Sequence, residues 1–213
     1  MIAAVVFDMD GVIVDTEQVW DEVRELLVAD WGGRYSPSAQ SAMMGMSSGE
    51  WSRYMHDDLG LSQSPAEIND EVVRRLLHRY ETDLPLVDGA VRAVRELSRS
   101  FPLAVASSSN RPLIDAVLAT ADIAGCFAAT VSSEEVARGK PSPDVYIEAA
   151  RILGVPPERC AAVEDSANGI RAAAAAGMRV IAYPNRHYPP DAEALALADA
   201  VIDSLDDVAA ALR

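Results

Sequence analysis

From about residue 86 onward, the 213-residue chain alternates short apolar runs with helical patterns. Runs near 103–106, 129–132, 161–164, 179–183 and 200–203 read as strands. The segments near 89–99, 111–121, 143–153, 166–177, 191–198 and 206–212 read as helices. This alternation implies a parallel, doubly wound sheet whose strands are joined through helices. One strand stands apart at the start. Ile2-Ala3-Ala4-Val5-Val6-Phe7 is apolar throughout, as a strand buried on both faces of a parallel sheet should be. Between it and the alternating part, residues from about 15 to 85 carry helical patterns only, at 16–30, 48–59 and 65–82. Ser64-Pro65-Ala66-Glu67 is a capping box with proline at the first helical position. The expected fold is α/β: a doubly wound parallel, Rossmann-like sheet core over residues 1–14 and 86–213, with an α-helical cap domain inserted over residues 15–85. Hinges are expected near 13–16 and near Leu84-Pro85-Leu86-Val87-Asp88-Gly89.

The apolar runs end in residues that can carry chemistry. The first stops at Asp8-Met9-Asp10-Gly11, where Gly11 lets the chain turn off the strand. A carboxylate buried there without a partner is disfavoured by several kcal/mol. The run at 103–106 ends in Ser107-Ser108-Ser109-Asn110. These are ordinary helix N-cap residues, and with the free N–H groups of a helix start they also make an anion site. In Gly139-Lys140-Pro141-Ser142-Pro143-Asp144, Pro141 pushes Lys140 towards an extended backbone and Ser142-Pro143 starts a helix. A lone loop lysine is ordinarily solvated. The run at 161–164 ends in Glu164-Asp165-Ser166, followed by Asn168-Gly169-Ile170; Asp165 or Ser166 could cap the alanine-rich helix that follows. Open α/β sheets gather their ligands at the carboxyl edge of the strands. Carboxylates meeting there repel and call for a hard cation with oxygen ligands. Mg²⁺ is the usual one and commonly works with substrate phosphate.

Composition narrows the partners. The net charge of −15 and pI near 4.5 lack the basic face of a nucleic-acid binder, so no DNA or RNA partner is expected. Cys126 and Cys160 form neither a metal spacing nor a disulfide framework, which suits a reducing cytoplasm. No stretch has the length and apolarity of a membrane span, and the first run lacks the basic flank of a signal peptide. A monomer fits this composition, which fixes no oligomeric state.

These motifs, taken in order, resemble those of the haloacid dehalogenase superfamily with a helical cap, in the branch that holds β-phosphoglucomutase and phosphoglycolate or sugar-phosphate phosphatases. The resemblance rests on Asp8-Met9-Asp10-Gly11, Ser107, Lys140 in Gly-Lys-Pro-Ser-Pro, and Glu164-Asp165 with Ser166 and Gly169-Ile170, and it covers the whole chain. It implies a Mg²⁺-dependent phosphatase that hydrolyses a small phosphorylated metabolite. Asp8 is the implied nucleophile, forming an aspartyl phosphate. Asp10 is the implied acid and base. Asp8, Asp10 through its carbonyl, and Asp165 are the implied metal ligands, with Glu164 a ligand or outer partner. Ser107, the Ser108 backbone N–H and Lys140 hold phosphate, and Asn110, Trp20 and Ser47 complete the substrate contacts.

Other activities fit less well. Dehalogenation does not need Asp10 and a metal site, and phosphonate cleavage needs a cap lysine, which residues 15–85 lack. The phosphosugar mutase is the main rival. Mutase-like chains carry a cap histidine and basic residues, whereas the matching positions here are Trp20 and, after Gly45, Ser48. The cap arginines Arg24, Arg34, Arg53, Arg74, Arg75 and Arg79 could substitute for those basic residues, but are expected mostly on solvated helix faces. A catalytically idle phosphate-binding regulator is a further alternative, but such a chain lacks Asp8 or Asp10. Trp20 is expected to face the cleft and the other tryptophans the cap core. Tyr183 and Asn185 follow a strand end, and the sequence leaves their place open.

Overall fold

The computed structural model describes residues 1–36, 38–43 and 46–213. Its strands are β1 (Ala4–Phe7), β2 (Leu103–Ser107), β3 (Ala129–Ser132), β4 (Cys160–Glu164), β5 (Arg179–Ala182) and β6 (Ala200–Val201). They pair in parallel throughout, in the order β3-β2-β1-β4-β5-β6. The chain winds outward from β1 to β3, then crosses back to β4 on the other side of β1. The strand order therefore reverses between β1 and β4, where open α/β sheets open a crevice.

Helices α5 (Ala90–Leu97), α6 (Arg111–Thr120), α7 (Asp144–Leu153), α8 (Ala167–Ala175), α9 (Ala192–Leu195) and α10 (Val208–Ala211) cover the sheet. Strand alternation sorts them. Val5, Phe7, Leu103, Val105 and Val163 point to one face and pack with Val94 of α5, Ile114 of α6 and Val208 of α10. Ala4, Val6, Ala104, Val131 and Ala162 point to the other and pack with Val145 of α7, Ile170 of α8 and Ala194 of α9. The second face is rich in alanine, which lets its helices lie close to the sheet.

Between β1 and α5 lie α1 (Glu17–Asp30), α2 (Ala39–Met43), α3 (Ser48–Asp57) and α4 (Pro65–Thr82). The short α2 is not legible in the sequence, because five residues do not complete two turns of an apolar stripe. The expected capping box opens α4, with Ser64 Oγ accepting from Glu67 N at 3.4 Å and donating to Glu67 Oε2 at 2.7 Å. Where the chain leaves and re-enters the sheet layer, its two segments run side by side. Asp15 N donates to Pro85 O at 2.8 Å and Val87 N to Ile13 O at 3.0 Å. Ser48 Oγ donates to Glu134 Oε1 at 2.8 Å, so α3 also touches the carboxyl edge of the sheet. No helix among the described residues is long and apolar enough to cross a membrane.

Candidate active site

The neighbouring strands β2, β1 and β4 end at one level. Phe7 pairs with Val105 on one side and Val163 on the other, so Asp8, Ser107 and Glu164 emerge together at the reversal of strand order. Lys140 arrives from the loop after β3 and is 8% exposed. Its Nζ donates to Asp8 Oδ1 at 2.8 Å and Glu164 Oε1 at 2.5 Å, and sits 5.1 Å from the Tyr146 ring centroid. Burial works against this ammonium, but Asp8 and Glu164 outweigh it and hold its pKa above the lysine range.

Glu164 is fully buried, and both its oxygens are occupied. Oε1 accepts from Lys140 and from Tyr146 OH at 2.5 Å. Oε2 accepts from Asp165 N at 3.1 Å, Ser166 N at 3.4 Å and Ser166 Oγ at 3.2 Å. Gly169 makes room for it: a Cβ at that position would overlap the Glu164 carboxylate. Gly11 does the same for Asp165, and its φ of +84° also demands glycine. Ser166 caps α8, its Oγ accepting from Gly169 N at 3.1 Å.

Asp8, Glu164 and Asp165 bring one carboxylate oxygen each within 4.8 Å of one another, and all three are buried. Lys140 is paired with Asp8 and Glu164, while among the described residues the Asp165 side chain takes only the neutral Asn185 amide, at 3.0 Å. Burial, with the charge of the neighbouring carboxylates, pushes Asp8 and Asp165 well above the usual carboxylate range. Three buried carboxylates against one ammonium leave uncompensated negative charge on hard oxygen donors. That donor set fits a divalent cation such as Mg²⁺. Both Glu164 oxygens are taken up by donors, whereas the Asp8 and Asp165 side chains each accept a single hydrogen bond among the described residues.

Asp10 is held differently. Thr16 Oγ1 donates to its Oδ1 at 2.5 Å, and Ser109 Oγ and Ser107 Oγ donate to its Oδ2 at 2.7 Å and 3.4 Å. Asp8 and Asp10 line a cavity of about 120 Å³ together with Lys140, Asp165, Ser108 and Ser109 on the sheet side. Trp20, Trp51, Glu17 and Arg24 close it from the helices. Pockets for drug-sized ligands run from about 300 Å³ upward, so this cavity suits a smaller molecule.

Ser107, Asn110 and Ser47 do not line this cavity. Ser107 is fully buried; its Oγ accepts from Ser109 N at 3.0 Å and turns to Asp10, while Ser108 and Ser109 line the cavity. Asn110 Nδ2 donates to Asn69 Oδ1 at 3.0 Å and Glu134 Oε1 at 2.7 Å, which ties α4 to the sheet edge and leaves that amide group no free donor. Ser47 caps α3, bonded to Glu50 at 2.7 Å, and does not line this cavity. Trp20 lines the cavity, and so does Trp51, which the sequence places in the cap core. Gly45, the reference point for the mutase comparison, lies outside the described residues.

Sequence reasoning misses Thr16, Glu17 and Tyr146, and it names Arg24 only as one of six cap arginines. A signal for two of them is present, since Glu17, Trp20 and Arg24 follow i, i+3, i+7 spacing and share one face of α1. Arg24 is buried, contrary to the solvated position expected of the cap arginines, whereas Arg34, Arg53, Arg74 and Arg79 are exposed.

A family model of haloacid dehalogenase-like hydrolases matches residues 2–177. The chain is 31% identical over 97% of its length to a bifunctional riboflavin kinase/FMN phosphatase of Arabidopsis thaliana, and spans about half of that relative (54%). It is 33% identical to hexitol phosphatase B of Escherichia coli strain K12, over 98% of this chain and 95% of that one. A solved structure of a CbbY mutant from Rhodobacter sphaeroides, in complex with xylulose-(1,5)bisphosphate, matches with a TM-score of 0.87 at 28% identity, covering 100% of this chain and 99% of that chain. The chain belongs to the haloacid dehalogenase-like hydrolases, and within them to the phosphoric monoester hydrolases.

Proposed function

We propose that the chain is a Mg²⁺-dependent phosphatase that hydrolyses a small phosphate monoester, a sugar phosphate or similar metabolite, through an aspartyl phosphate on Asp8. The observation that carries this reading is the different treatment of two carboxylates at the end of β1. Asp8 is held by a cation through one oxygen, and its Oδ2 accepts no hydrogen bond among the described residues. Asp10 is held by three hydroxyls. One is set up as a nucleophile, the other as a positioned acid and base.

In the first step Asp8 attacks phosphorus. The bond from phosphorus to the leaving oxygen breaks, and Asp10 gives its proton to that oxygen. In the second, Asp10 takes a proton from water, the water oxygen bonds to phosphorus, and the Asp8–phosphorus bond breaks to release phosphate. Lys140 offsets the charge that gathers around Asp8, while Ser108 and Ser109 cradle the phosphate oxygens. Asp8, Asp165 and the Asp10 carbonyl would hold Mg²⁺, with Glu164 behind Lys140. When bound, the ion neutralises the repulsion between carboxylate and phosphate.

Residues 15–85 act as the cap that closes over the leaving group, hinged where 13–15 and 85–87 run together. The Ser48–Glu134 and Asn69–Asn110 bonds belong to the closed form. The named relatives, a hexitol phosphatase and CbbY with a sugar bisphosphate, support a phosphosugar-like substrate. Cys126 and Cys160 are both free, which suits the cytoplasm. The test is phosphate release from a panel of phosphorylated metabolites, with Mg²⁺ and after exhaustive EDTA treatment. Release that depends on Mg²⁺ is expected. Full activity after metal removal, or no release from any ester, would overturn the reading.

A further inference from the structure

Arg24 on α1 is buried, 6% exposed, and makes no ion pair or side-chain hydrogen bond among the described residues. Its Nε is enclosed without an acceptor. Its Cζ lies 4.6 Å from the centroid of the Trp20 ring and 4.9 Å from that of Trp51, and the two indoles meet edge to face at 5.9 Å. Indole faces offset part of the loss of hydration. They do not satisfy the N–H donors, which lie in the guanidinium plane and are built for paired oxygen acceptors.

The nearby acids are turned to other donors. Glu17 Oε2 takes the Gln40 amide at 3.1 Å, and Asp21 Oδ1 takes Tyr35 OH at 2.5 Å. Burial lowers the Arg24 pKa to about 10, which still leaves it charged at neutral pH. A charged, buried guanidinium without an acceptor is unfavourable unless something brings the acceptor. Arg24 lines the same cavity as Asp8 and Lys140, so a molecule whose phosphate lies at Asp8 can reach it. No other cap arginine competes for this role: Arg34, Arg53, Arg74 and Arg79 are exposed, and Arg75 is paired with Asp30 and Glu71.

We propose that Arg24 binds a second anionic group of the substrate, so that this chain favours a small phosphate monoester whose far end carries a carboxylate or a second phosphate. Asp8 and Arg24 line the same cavity of about 120 Å³, which favours a short ester. This proposal rests on the phosphatase reading of the same site.

The test uses short-chain phosphate esters of equal length that differ only at the far end, which is a hydroxyl, a carboxylate or a second phosphate. The wild-type protein should show kcat/KM about 10- to 100-fold higher for one of the anionic ends, the scale of a charge-assisted hydrogen bond. The better of the two anionic arms identifies the group. In Arg24→Gln that ratio should collapse to about one, and in Arg24→Lys part of it should return. A wild-type ratio near one overturns the proposal without any variant. So does Arg24→Gln that slows every ester equally and keeps the ratio, which is what a packing role would give. If no ester releases phosphate, the phosphatase reading has failed, and the anion site is judged by Trp20 and Trp51 fluorescence. Dephosphorylated ligands with an anionic end should then shift the emission where hydroxyl-ended ones do not. No such difference overturns the site as well.

Discussion

Replacing Lys140 with methionine removes a charge while keeping most of the side-chain volume. The side chain is 4% exposed, and its Nζ touches Asp8 at 2.8 Å and Glu164 at 2.5 Å. Without it, Asp8, Glu164 and Asp165 stand buried together with no ammonium among them. Breaking a buried ion pair by removing one partner costs about 3–5 kcal/mol. For a domain of this size, about 2–4 °C of melting temperature goes with each kcal/mol, so Lys140→Met should melt roughly 6–20 °C lower in EDTA. Mg²⁺ should narrow the gap, because a cation that binds the folded form stabilises it by mass action and the variant site is the more negative one. Adding Glu164→Gln takes one negative charge back out. The double variant should therefore be less destabilised than the sum of the singles, by about 1 kcal/mol or more. The assay is urea or thermal unfolding of the four proteins with EDTA and with Mg²⁺. Lys140→Met melting within about 2 °C of wild type in EDTA, or strict additivity in the cycle, would refute the charge-pair account.

Asp8→Asn should abolish phosphate release while leaving the melting curve of a folded protein, since an amide is nearly isosteric but a poor nucleophile; wild-type turnover would remove Asp8 from that role. Asp10→Asn should slow steady-state turnover by roughly a hundredfold or more, the scale of a lost acid–base group. Gly169→Ala should destabilise by about 1–3 kcal/mol and lower kcat, because the new Cβ overlaps the Glu164 carboxylate; an unfolding midpoint equal to wild type would contradict it. With β-glucose 1-phosphate and a trace of the bisphosphate, free phosphate should form faster than glucose 6-phosphate, because Trp20 at the cleft offers a stacking surface and no proton relay. The reverse order would promote the mutase alternative.

The placement of chemistry at the strand ends is legible without coordinates. Apolar runs of strand length mark β1, β2 and β4, and in a parallel sheet every strand points the same way, so residues that follow the runs share one edge. Asp8, Asp10, Ser107, Glu164 and Asp165 can therefore be placed by counting. Local signals such as the Ser64 capping box and the Ser166 cap are also readable, because their partners lie within one turn.

The tertiary structure decides which side chain at each edge meets which partner. Ser107 turns under the cavity and Ser109 takes Asp10, a choice made by rotation of the chain as it leaves β2. Asn110 is drawn off by Asn69, 41 residues earlier, and by Glu134, 24 residues later. Glu164 is filled by Tyr146 and Lys140, which arrive from α7 and the loop before it. Arg24 and Glu17 enter the cavity because the helices dock with that face of α1 towards the sheet edge. Helical spacing determines that Glu17, Trp20 and Arg24 share a face. Where the face points depends on long-range packing of α1 against α4, and no local pattern encodes it.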